Sequence, residues 1–411
     1  MDQDKLSEVL GCWEGYRLKT VGRAPADQQR GKKPEIWIEL IPDWNHTRRC
    51  GHCGRTVTAI HETTERWVRD LPILEADTWL LVHRVRVNCP TCGPRVEKLD
   101  WLDAWARFTR RFGDSVVRLA AVLPLKQVAE FYGLHWETVK RLDKEHLQRT
   151  LGPVDLADCE VIAMDEFAIQ KGHRYATVVV EPLRKQVLWV GRGRSREDIR
   201  PFFELLGEQG RAGIQAVAMD MNKAYEEEVY SQCPQAEVVF DLFHVVAKYG
   251  REVIDRVRVD EANRLKHDAH ARKVVKGSRW LLLRNYDNIE HEEDRVRLEE
   301  LLSANRKLAK VYILKDDLKA LWDYRHVGYA RRFWLDWYAR AIRSRIGPLR
   351  DFARRLKAKI DGVLAHCRWP LHTSLLEGIN NKIKVIKRMA YGYRDDEYFF
   401  LRIRAAFPGN P

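Results

Sequence analysis

The order of apolar and amphipathic segments between residues 160 and 241 constrains the fold more than any other feature of this sequence. Five apolar runs of strand length lie at 161–164, 175–180, 186–190, 214–219 and 237–240. Turn-forming residues separate the first three runs, which predicts an antiparallel meander. Amphipathic helical patterns over 196–208 and 223–232 separate the remaining runs. The predicted order is three strands, a helix, a strand, a helix and a strand.

This order is typical of the RNase H-like α/β fold, in which the first and fourth strands are neighbours. The first predicted strand ends in Asp165, the fourth in Asp220 and the fifth in Asp241. We therefore expect Asp165 and Asp220 to lie side by side, where paired carboxylates bind divalent cations for phosphoryl displacement. Either aspartate alone would be an ordinary turn residue at a strand end, so the interpretation depends on the pair.

Four of the eight cysteines form two CxxC pairs, Cys50 with Cys53 and Cys89 with Cys92. The two-residue spacing lets both thiolates of a pair reach one ion, and four thiolates close a tetrahedral structural zinc site. The alternatives are two unrelated pairs or a redox site. The doubling of the pattern favours zinc, in a site that has no open position for chemistry.

Residues 115–149 have a helical pattern that contains a candidate helix-turn-helix. A short helix over 125–132 is followed by Gly133 and by a second helix that starts near residue 135. In DNA-binding proteins of this type the second helix enters the major groove. The side chains that would then face DNA are His135, Trp136, Thr138, Lys140 and Arg141. An ordinary corner between two helices is the alternative.

Basic residues exceed acidic ones in this chain, with 72 Lys and Arg against 59 Asp and Glu and a net charge of +13. A polyanion is therefore the first partner to consider. Residues 340–360 hold eight basic residues against one acid, Asp351. We expect this segment to follow DNA, since the alternative, a salt-bridged helical face, lacks local acids.

The sequence shows no pattern of export or of membrane insertion. No apolar run approaches about 18 residues, the length of a membrane span. The residues that follow Met1 lack the basic and apolar parts of a signal peptide. We therefore expect a cytoplasmic protein with no membrane partner.

The segment from 374 to 389 predicts a helix with two different faces. Its apolar face repeats with the helical period and comprises Leu375, Ile379, Ile383 and Ile386. Its polar face comprises Glu377, Asn381, Lys384 and Arg388. We predict that the apolar face packs on the sheet and that the last three polar residues contact DNA. A carboxylate among basic and amide groups suits a metal-bound phosphate.

These features together resemble the DDE transposases of bacterial insertion sequences, specifically the ISL3 family. The resemblance depends on the two cysteine pairs, the helix-turn-helix and five further segments, at 163–166, 217–221, 241–244, 376–384 and 390–394. It covers nearly the whole chain. The cysteine pairs and the block from 377 to 394 are its most specific parts.

The resemblance implies a catalytic Asp-Asp-Glu triad, which in this sequence is Asp165, Asp220 and Glu377. It implies two Mg²⁺ (or Mn²⁺) ions at the triad, in addition to the structural Zn²⁺. We rank Asp241, followed three residues later by His244, as a supporting residue and as the rival third carboxylate.

The resemblance also implies the reaction and the partners. The expected reaction is cleavage of DNA strands at the terminal inverted repeats of the element and transfer of the 3′-hydroxyl ends to target DNA. The expected partner is double-stranded DNA, bound by a homodimer on paired ends. Such a protein would be associated with the bacterial nucleoid.

The predicted fold class is α/β, with an RNase H-like catalytic core and a helical insertion, preceded by a zinc-binding module and a helix-turn-helix. The zinc module, the helix-turn-helix, the first part of the core, the basic helical insertion and the last core helix with its tail are assigned to 1–105, 106–157, 158–250, 251–370 and 371–411. Two other functions fit the same residues. One is an RNase H-like DNA nuclease that cuts without joining, and the other is a catalytically silent DNA-binding regulator.

Overall fold

The computed structural model describes residues 10–11, 13–26, 33–170, 172, 174–371 and 374–409. The chain divides into two compact units, Met1–Thr150 and Leu151–Pro411. The outer limits of the predicted domains, residues 1 and 411, lie outside the described residues. Within the described ranges, no helix combines the length and the apolar character that a bilayer crossing requires.

The first unit contains a five-stranded sheet. Its strands are β1 Tyr16–Ala24, β2 Glu35–Pro42, β3 Ile60–Ile73, β4 Ala76–Cys89 and β5 Gly93–Val96. Their order is β1-β2-β4-β3, with β5 paired to β4. β2 and β4 run parallel, and the other neighbours run antiparallel. Alternate residues of β4 are buried, as expected for a strand with one face in a core.

Three helices follow this sheet and form the helix-turn-helix region. They are α1 Arg110–Ala120, α2 Leu125–Tyr132 and α3 Trp136–Thr150. The Thr109 hydroxyl accepts a hydrogen bond from the backbone N–H of Phe112 and caps α1. Gly133 ends α2 with a φ of 61°, a conformation that favours glycine. The shared core of the three helices comprises Phe112, Val116, Ala120, Val128, Ala129, Tyr132 and Val139.

The second unit contains the predicted five-stranded sheet. Its strands are β6 Val161–Gln170, β7 Arg174–Glu181, β8 Gln186–Arg192, β9 Ala216–Met219 and β10 Glu237–Phe240. Their order is β10-β9-β6-β7-β8. β6, β7 and β8 form an antiparallel meander, and β9 and β10 lie parallel to β6. This arrangement confirms the predicted neighbours, because the first and fourth strands of the unit are paired.

Helices make up the rest of the second unit. α4 Arg196–Gly213 and α5 Lys223–Gln232 connect the last strands of the sheet. The insertion after β10 consists of α6 Leu242–Tyr249, a π-helical turn Gly250–Ile254, α7 Asp255–Arg264, α8 Ala269–Gly277, α9 Arg279–Leu283, α10 Glu292–Ala304, α11 Arg306–Lys319, α12 Val327–Arg343, α13 Gly347–Lys357 and α14 Ile360–Leu364. The chain then returns to the sheet through α15 Ser374–Met389 and α16 Asp396–Ala406.

The sheet of the second unit is covered by helices on both faces. Ile162 and Met164 of β6 lie in a core shared with α4, α5 and the helices of the insertion. Their neighbours Val161 and Ala163 lie in a second core, shared with α15 and α16. Successive side chains of a strand point to opposite faces, so β6 is the central strand of a three-layer core.

A buried carboxylate joins α4 to α5. Glu228 is 0% exposed and accepts hydrogen bonds from Arg196 and Arg200 at 3.0 and 2.9 Å. Burial alone raises the pKa of a carboxyl group, but the hydrogen bonds from Arg200, Gln232 and Arg196 outweigh it and hold the pKa of Glu228 at about 2. These hydrogen bonds hold the two helices together.

Candidate active site and metal centre

Asp165 on β6 and Asp220, which directly follows β9, occupy equivalent positions relative to the pairing of these two parallel strands. Ala163 of β6 is opposite Ala218 of β9, and each aspartate follows its alanine by two residues. The expectation that Asp165 ends its strand is wrong, because β6 continues past it. The hairpin with β7 keeps β6 paired beyond the point where β9 ends. Asp165 is therefore held by a strand, whereas Asp220 starts a loop.

Asp241 follows the next strand of the sheet and lies beside the same edge. Its backbone N–H donates to the Met219 carbonyl at 2.9 Å. One carboxylate oxygen accepts from the Phe243 backbone N–H at 2.7 Å, which caps α6. The other lies 3.5 Å from Nε2 of His244. Asp241 therefore caps α6.

The electrostatic neighbourhood of Asp165 includes both Asp220 and His244. Burial raises the pKa of Asp165 to about 6, and the negative charge of Asp220 acts in the same direction. The Glu166 backbone N–H, His244 and the amide of Asn380 act in the opposite direction. A divalent cation favours the ionised form of such a carboxylate. The oxygen donors present fit a hard cation such as Mg²⁺.

Asn380 contacts Asp165 directly and was not among the residues singled out from the sequence. Its Nδ2 donates to Oδ2 of Asp165 at 2.5 Å, while its Oδ1 is buried and has no hydrogen-bond partner among the residues that the structure describes. The helix pattern contained a signal for it, because Asn380 follows Leu376 by four residues and precedes Ile383 by three. That spacing places an asparagine beside the buried stripe of α15.

The two faces of α15 are largely as predicted. Its side chains buried against the sheet are Leu376, Ile379, Ile383 and Ile386. Leu375 is only partly buried, because the stripe follows 376, 379, 383 and 386. The predicted polar residues Glu377, Asn381, Lys384 and Arg388 are all exposed.

Glu377 lies one helical turn before Asn380 on α15, about 4.5 Å along the helix axis. Its side chain is exposed. In the part of the chain that the structure describes, the three predicted carboxylates do not form a group whose ligand atoms all lie within 4.8 Å of one another. The assignment of Glu377 as the third ligand stays a prediction.

The four cysteines do form such a group. Ligand atoms of Cys50, Cys53, Cys89 and Cys92 all lie within 4.8 Å of one another. Sγ of Cys53 is 3.7 Å from Sγ of Cys89, while four sulfurs bound to zinc at 2.3 Å in tetrahedral geometry are separated by about 3.8 Å. A disulfide requires about 2.05 Å. The sulfur positions therefore fit a structural zinc ion.

Hydrogen bonds and a buried ion pair surround the turns that carry these cysteines. The Gly54 backbone N–H donates to the Cys50 carbonyl at 2.9 Å and closes the first turn. Backbone N–H groups of Thr91 and Cys92 lower the pKa of Cys89 to about 6. Beneath the first turn, Arg48 is buried and pairs with Glu97 at 2.5 Å. Arg48 therefore supports the turn from inside the unit.

The second helix of the helix-turn-helix exposes most of the residues predicted to face DNA. His135, Trp136 and Arg141 are exposed, and Thr138 and Lys140 are half-buried. Trp136 is 47% exposed, which is unusual for a side chain of this size in a helix with a packed core. Arg141 pairs with Glu145 one turn later at 3.0 Å. Such exposed pairs are weak enough to exchange for a phosphate.

The basic segment 340–360 is not the unbalanced surface that its sequence predicts. Acids from other parts of the second unit pair with it, as in Arg340–Asp317, Arg355–Glu252 and Lys359–Glu226. The expectation that no acids balance this segment is therefore wrong. Local counting missed these pairs because helix packing brings the acids from other helices.

Comparison with protein families agrees with this architecture. A family model for the zinc-finger of transposase IS204/IS1001/IS1096/IS1165 matches residues 46–92. A model for the helix-turn-helix domain of transposase family ISL3 matches residues 97–147. A DDE transposase model of the same family matches residues 162–403, more than half of the chain. The chain belongs to the ISL3 family of transposases.

Two relatives support the same conclusion over most of their length. A transposase for insertion sequence element IS1001 from Bordetella parapertussis is 53% identical over 99% of this chain and 98% of its own. A transposase for insertion sequence element IS1557 from Mycobacterium tuberculosis (strain CDC 1551 / Oshkosh) is 29% identical over 85% of this chain and 83% of its own. This ISL3 transposase thus has a zinc ribbon, a DNA-binding helix-turn-helix and a DDE catalytic domain in that order. The DDE family also implies a divalent metal at the catalytic domain.

Proposed function

We propose that this ISL3 transposase binds the terminal inverted repeats of its own insertion sequence, cleaves DNA strands there and joins the freed 3′-hydroxyl ends to target DNA. The observation that supports this most directly is the strand register of a DDE domain, in which Ala163 pairs with Ala218 two residues before Asp165 and Asp220. Family membership indicates the class of reaction, and Asp165 and Asp220 are the carboxylates at which we propose that it takes place.

Asp165, Asp220 and Glu377 are the proposed ligands of two Mg²⁺ (or Mn²⁺) ions. Ions bound there stabilise the attacking and leaving oxygens of an in-line phosphoryl displacement. Asp241 and His244 are proposed to support the site from α6, since Asp241 caps that helix and His244 lies in the electrostatic neighbourhood of Asp165. Glu377 is the proposed third carboxylate, and Asp241 is the alternative that the cleavage assay distinguishes from it.

Two displacements at phosphorus follow in sequence in this proposal. In the first, a water oxygen forms a bond to the phosphorus at the element end, and the bond to the 3′-oxygen breaks and leaves a 3′-hydroxyl. In the second, that hydroxyl oxygen attacks a target phosphodiester, and the target 3′-oxygen leaves. The carboxylates hold the metal and accept no covalent bond to DNA, so no protein–DNA intermediate is required.

The proposed DNA contacts come from both units. His135, Trp136, Thr138, Lys140 and Arg141 recognise the element end, and Asn381, Lys384 and Arg388 on α15 contact the backbone near the site. A homodimer on paired ends allows both ends to be joined to one target. We retain the five predicted domain ranges as part of this proposal, together with nucleoid association.

Joining of a precleaved end tests this function directly. Purified protein, Mg²⁺ and a duplex that carries an element end with a free 3′-hydroxyl are mixed with a circular target plasmid. A transposase converts the labelled end into a plasmid-linked product. A nuclease that cuts without joining degrades DNA without forming this product, and a silent regulator binds the end but changes neither DNA. Either of those results contradicts the proposal.

Replacement of Lys140 with alanine is expected to weaken binding of all DNA sequences. Each phosphate contact releases bound counterions when it forms. Its loss therefore makes the negative slope of log K against log [salt] less steep by about 0.9. Titration of a labelled end duplex at several salt concentrations measures both quantities. Lys126→Ala is the matched control, because Lys126 is an exposed lysine on the first helix of the motif. If Lys140→Ala and Arg141→Ala both bind the end normally, recognition lies elsewhere, with the zinc ribbon as the first candidate.

A further inference from the structure

We propose that Asn380 is a positioning residue of the catalytic metal site. Its amide nitrogen holds Asp165 through a hydrogen bond, and its amide oxygen binds the divalent cation or a water on that cation. The inference rests on the proposed function, because it requires Asp165 to hold a cation. Nothing in the family assignment gives this asparagine a role.

The hydrogen bond to Asp165 determines which way the amide points. Nδ2 of Asn380 lies 2.5 Å from Oδ2 of Asp165. A carboxylate only accepts hydrogen bonds when it is ionised, so the opposite orientation would place two acceptor oxygens against each other. The nitrogen therefore belongs on the Asp165 side, and the amide oxygen belongs on the other.

The amide oxygen of Asn380 has no hydrogen-bond donor among the described residues. This atom, Oδ1, is also buried. Buried polar atoms in native proteins are nearly always paired, so an unpaired one points to a bound partner such as an ion or a water. Amide oxygens are ligands that Mg²⁺ and Mn²⁺ accept, either directly or through a bound water. Oδ1 of Asn380, on the residue that contacts Asp165, is therefore the oxygen that we assign to the cation or to its bound water.

Asn380 is also held in place by its own helix. Ile379 and Ile383 on either side of it are buried in the core shared by α15 and the sheet. Nζ of Lys387 donates to the Ala168 carbonyl of β6 at 2.8 Å, which ties the same helix to the same strand further along. Positioning groups need this kind of rigid support.

The next residue offers a natural comparison. Asn381 is exposed, and its side-chain oxygen accepts from Lys384 on its own helix at 3.3 Å. The two asparagines share side chain, helix and local sequence, and differ in their burial and in whether they touch Asp165. An effect on metal binding that is specific to Asn380 therefore comes from its buried position beside Asp165.

The test is Mn²⁺ binding to the full-length protein without DNA, measured by calorimetry and by electron paramagnetic resonance of free Mn²⁺. We expect Asn380→Ala to raise the Mn²⁺ dissociation constant by about tenfold to a hundredfold, the usual effect of removing a group that orients a metal ligand. Asn381→Ala is expected to bind Mn²⁺ as the wild type does, because the proposed DNA contact of Asn381 has no part in an assay without DNA. Asp165→Asn is expected to remove binding at this site.

A second variant keeps the inference testable if Asn380→Ala folds poorly. Asn380→Leu keeps nearly the same size but removes both the donor and the amide oxygen. We expect Mn²⁺ to raise its Tm by less than it raises the wild-type Tm, because Asp165 is no longer held in place for the cation. A purely structural asparagine gives equal Mn²⁺-induced shifts in both proteins.

The outcomes separate the two proposals. If the wild type binds Mn²⁺, Asp165→Asn loses binding and Asn380→Ala binds normally, the role of Asn380 is wrong and the proposed metal site stands. If Asp165→Asn binds Mn²⁺ as well as the wild type, the metal site itself is wrong, and the inference about Asn380 is overturned with it. Weakened binding in Asn380→Ala alone among the two asparagine variants supports both.

Discussion

Asp165→Asn is expected to lose Mg²⁺-dependent cleavage of an element end while it still binds that end. Asparagine has nearly the same shape but no charge, so the site loses its hold on the metal while the DNA-binding surfaces are unchanged. Metal stabilisation of the transition state is worth several kcal/mol, which corresponds to a rate loss of roughly a thousandfold or more. Cleavage of a labelled duplex with Mg²⁺ and gel-shift binding in EDTA measure the two effects separately.

The same assay decides the third carboxylate. Glu377→Gln is expected to behave as Asp165→Asn does, whereas Asp241→Asn retains measurable cleavage, because Asp241 already serves as the cap of α6. Normal cleavage by Glu377→Gln together with no cleavage by Asp241→Asn would transfer the assignment to Asp241. Cleavage by Asp165→Asn at the wild-type rate would contradict the site as a whole.

Replacement of Cys50 and Cys89 with serine is expected to remove zinc and to unfold the sheet of the first unit. Native protein should contain about one zinc per chain, since four thiolates close one site. Ligand binding to a structural zinc is coupled to folding, so the variant should lose the unfolding transition of Met1–Thr150 while the second unit keeps its own. Metal analysis and calorimetry test this.

Cys367→Ser is the control for that experiment. Cys367 lies in the second unit, where its Sγ donates to the Tyr324 carbonyl at 3.2 Å, a bond that a serine hydroxyl can also make. Zinc content and the transition of the first unit should not change in this variant. Native protein that contains no zinc would show that the four cysteines serve another purpose.

The core of the fold was predictable because its signals are local. Strand-length apolar runs with aspartates after them gave the sheet order and the neighbouring positions of Asp165 and Asp220. Gly133 marked the turn between two helices, since its left-handed conformation favours glycine. The cysteine spacing was sufficient for zinc, and the sulfur positions fit that reading. Each of these signals is contained in a short stretch of sequence, even where the stretches themselves are distant from one another.

Interactions between distant residues were not predictable from the same patterns. Asn380 and Asp165 are 215 residues apart, so their contact has no local signature. The acids that balance residues 340–360 belong to other helices, as Glu252 and Asp317 show. The prediction that Asp165 ends its strand failed for a related reason. Pairing with β7 extends β6, and the extent of pairing depends on the partner strand.

The long separation between Asp165 and α15 has a consequence for how the enzyme is made. A ribosome releases the amino end first, so the zinc ribbon and the helix-turn-helix emerge while the catalytic half is still being synthesised. Asp165 and Asp220 leave the ribosome more than 150 residues before Glu377 and Asn380. A chain that stops within the insertion therefore contains the DNA-binding helix-turn-helix but lacks α15, which completes the proposed metal site. The proposed ligand set at the metal site is complete only after α15 has been synthesised.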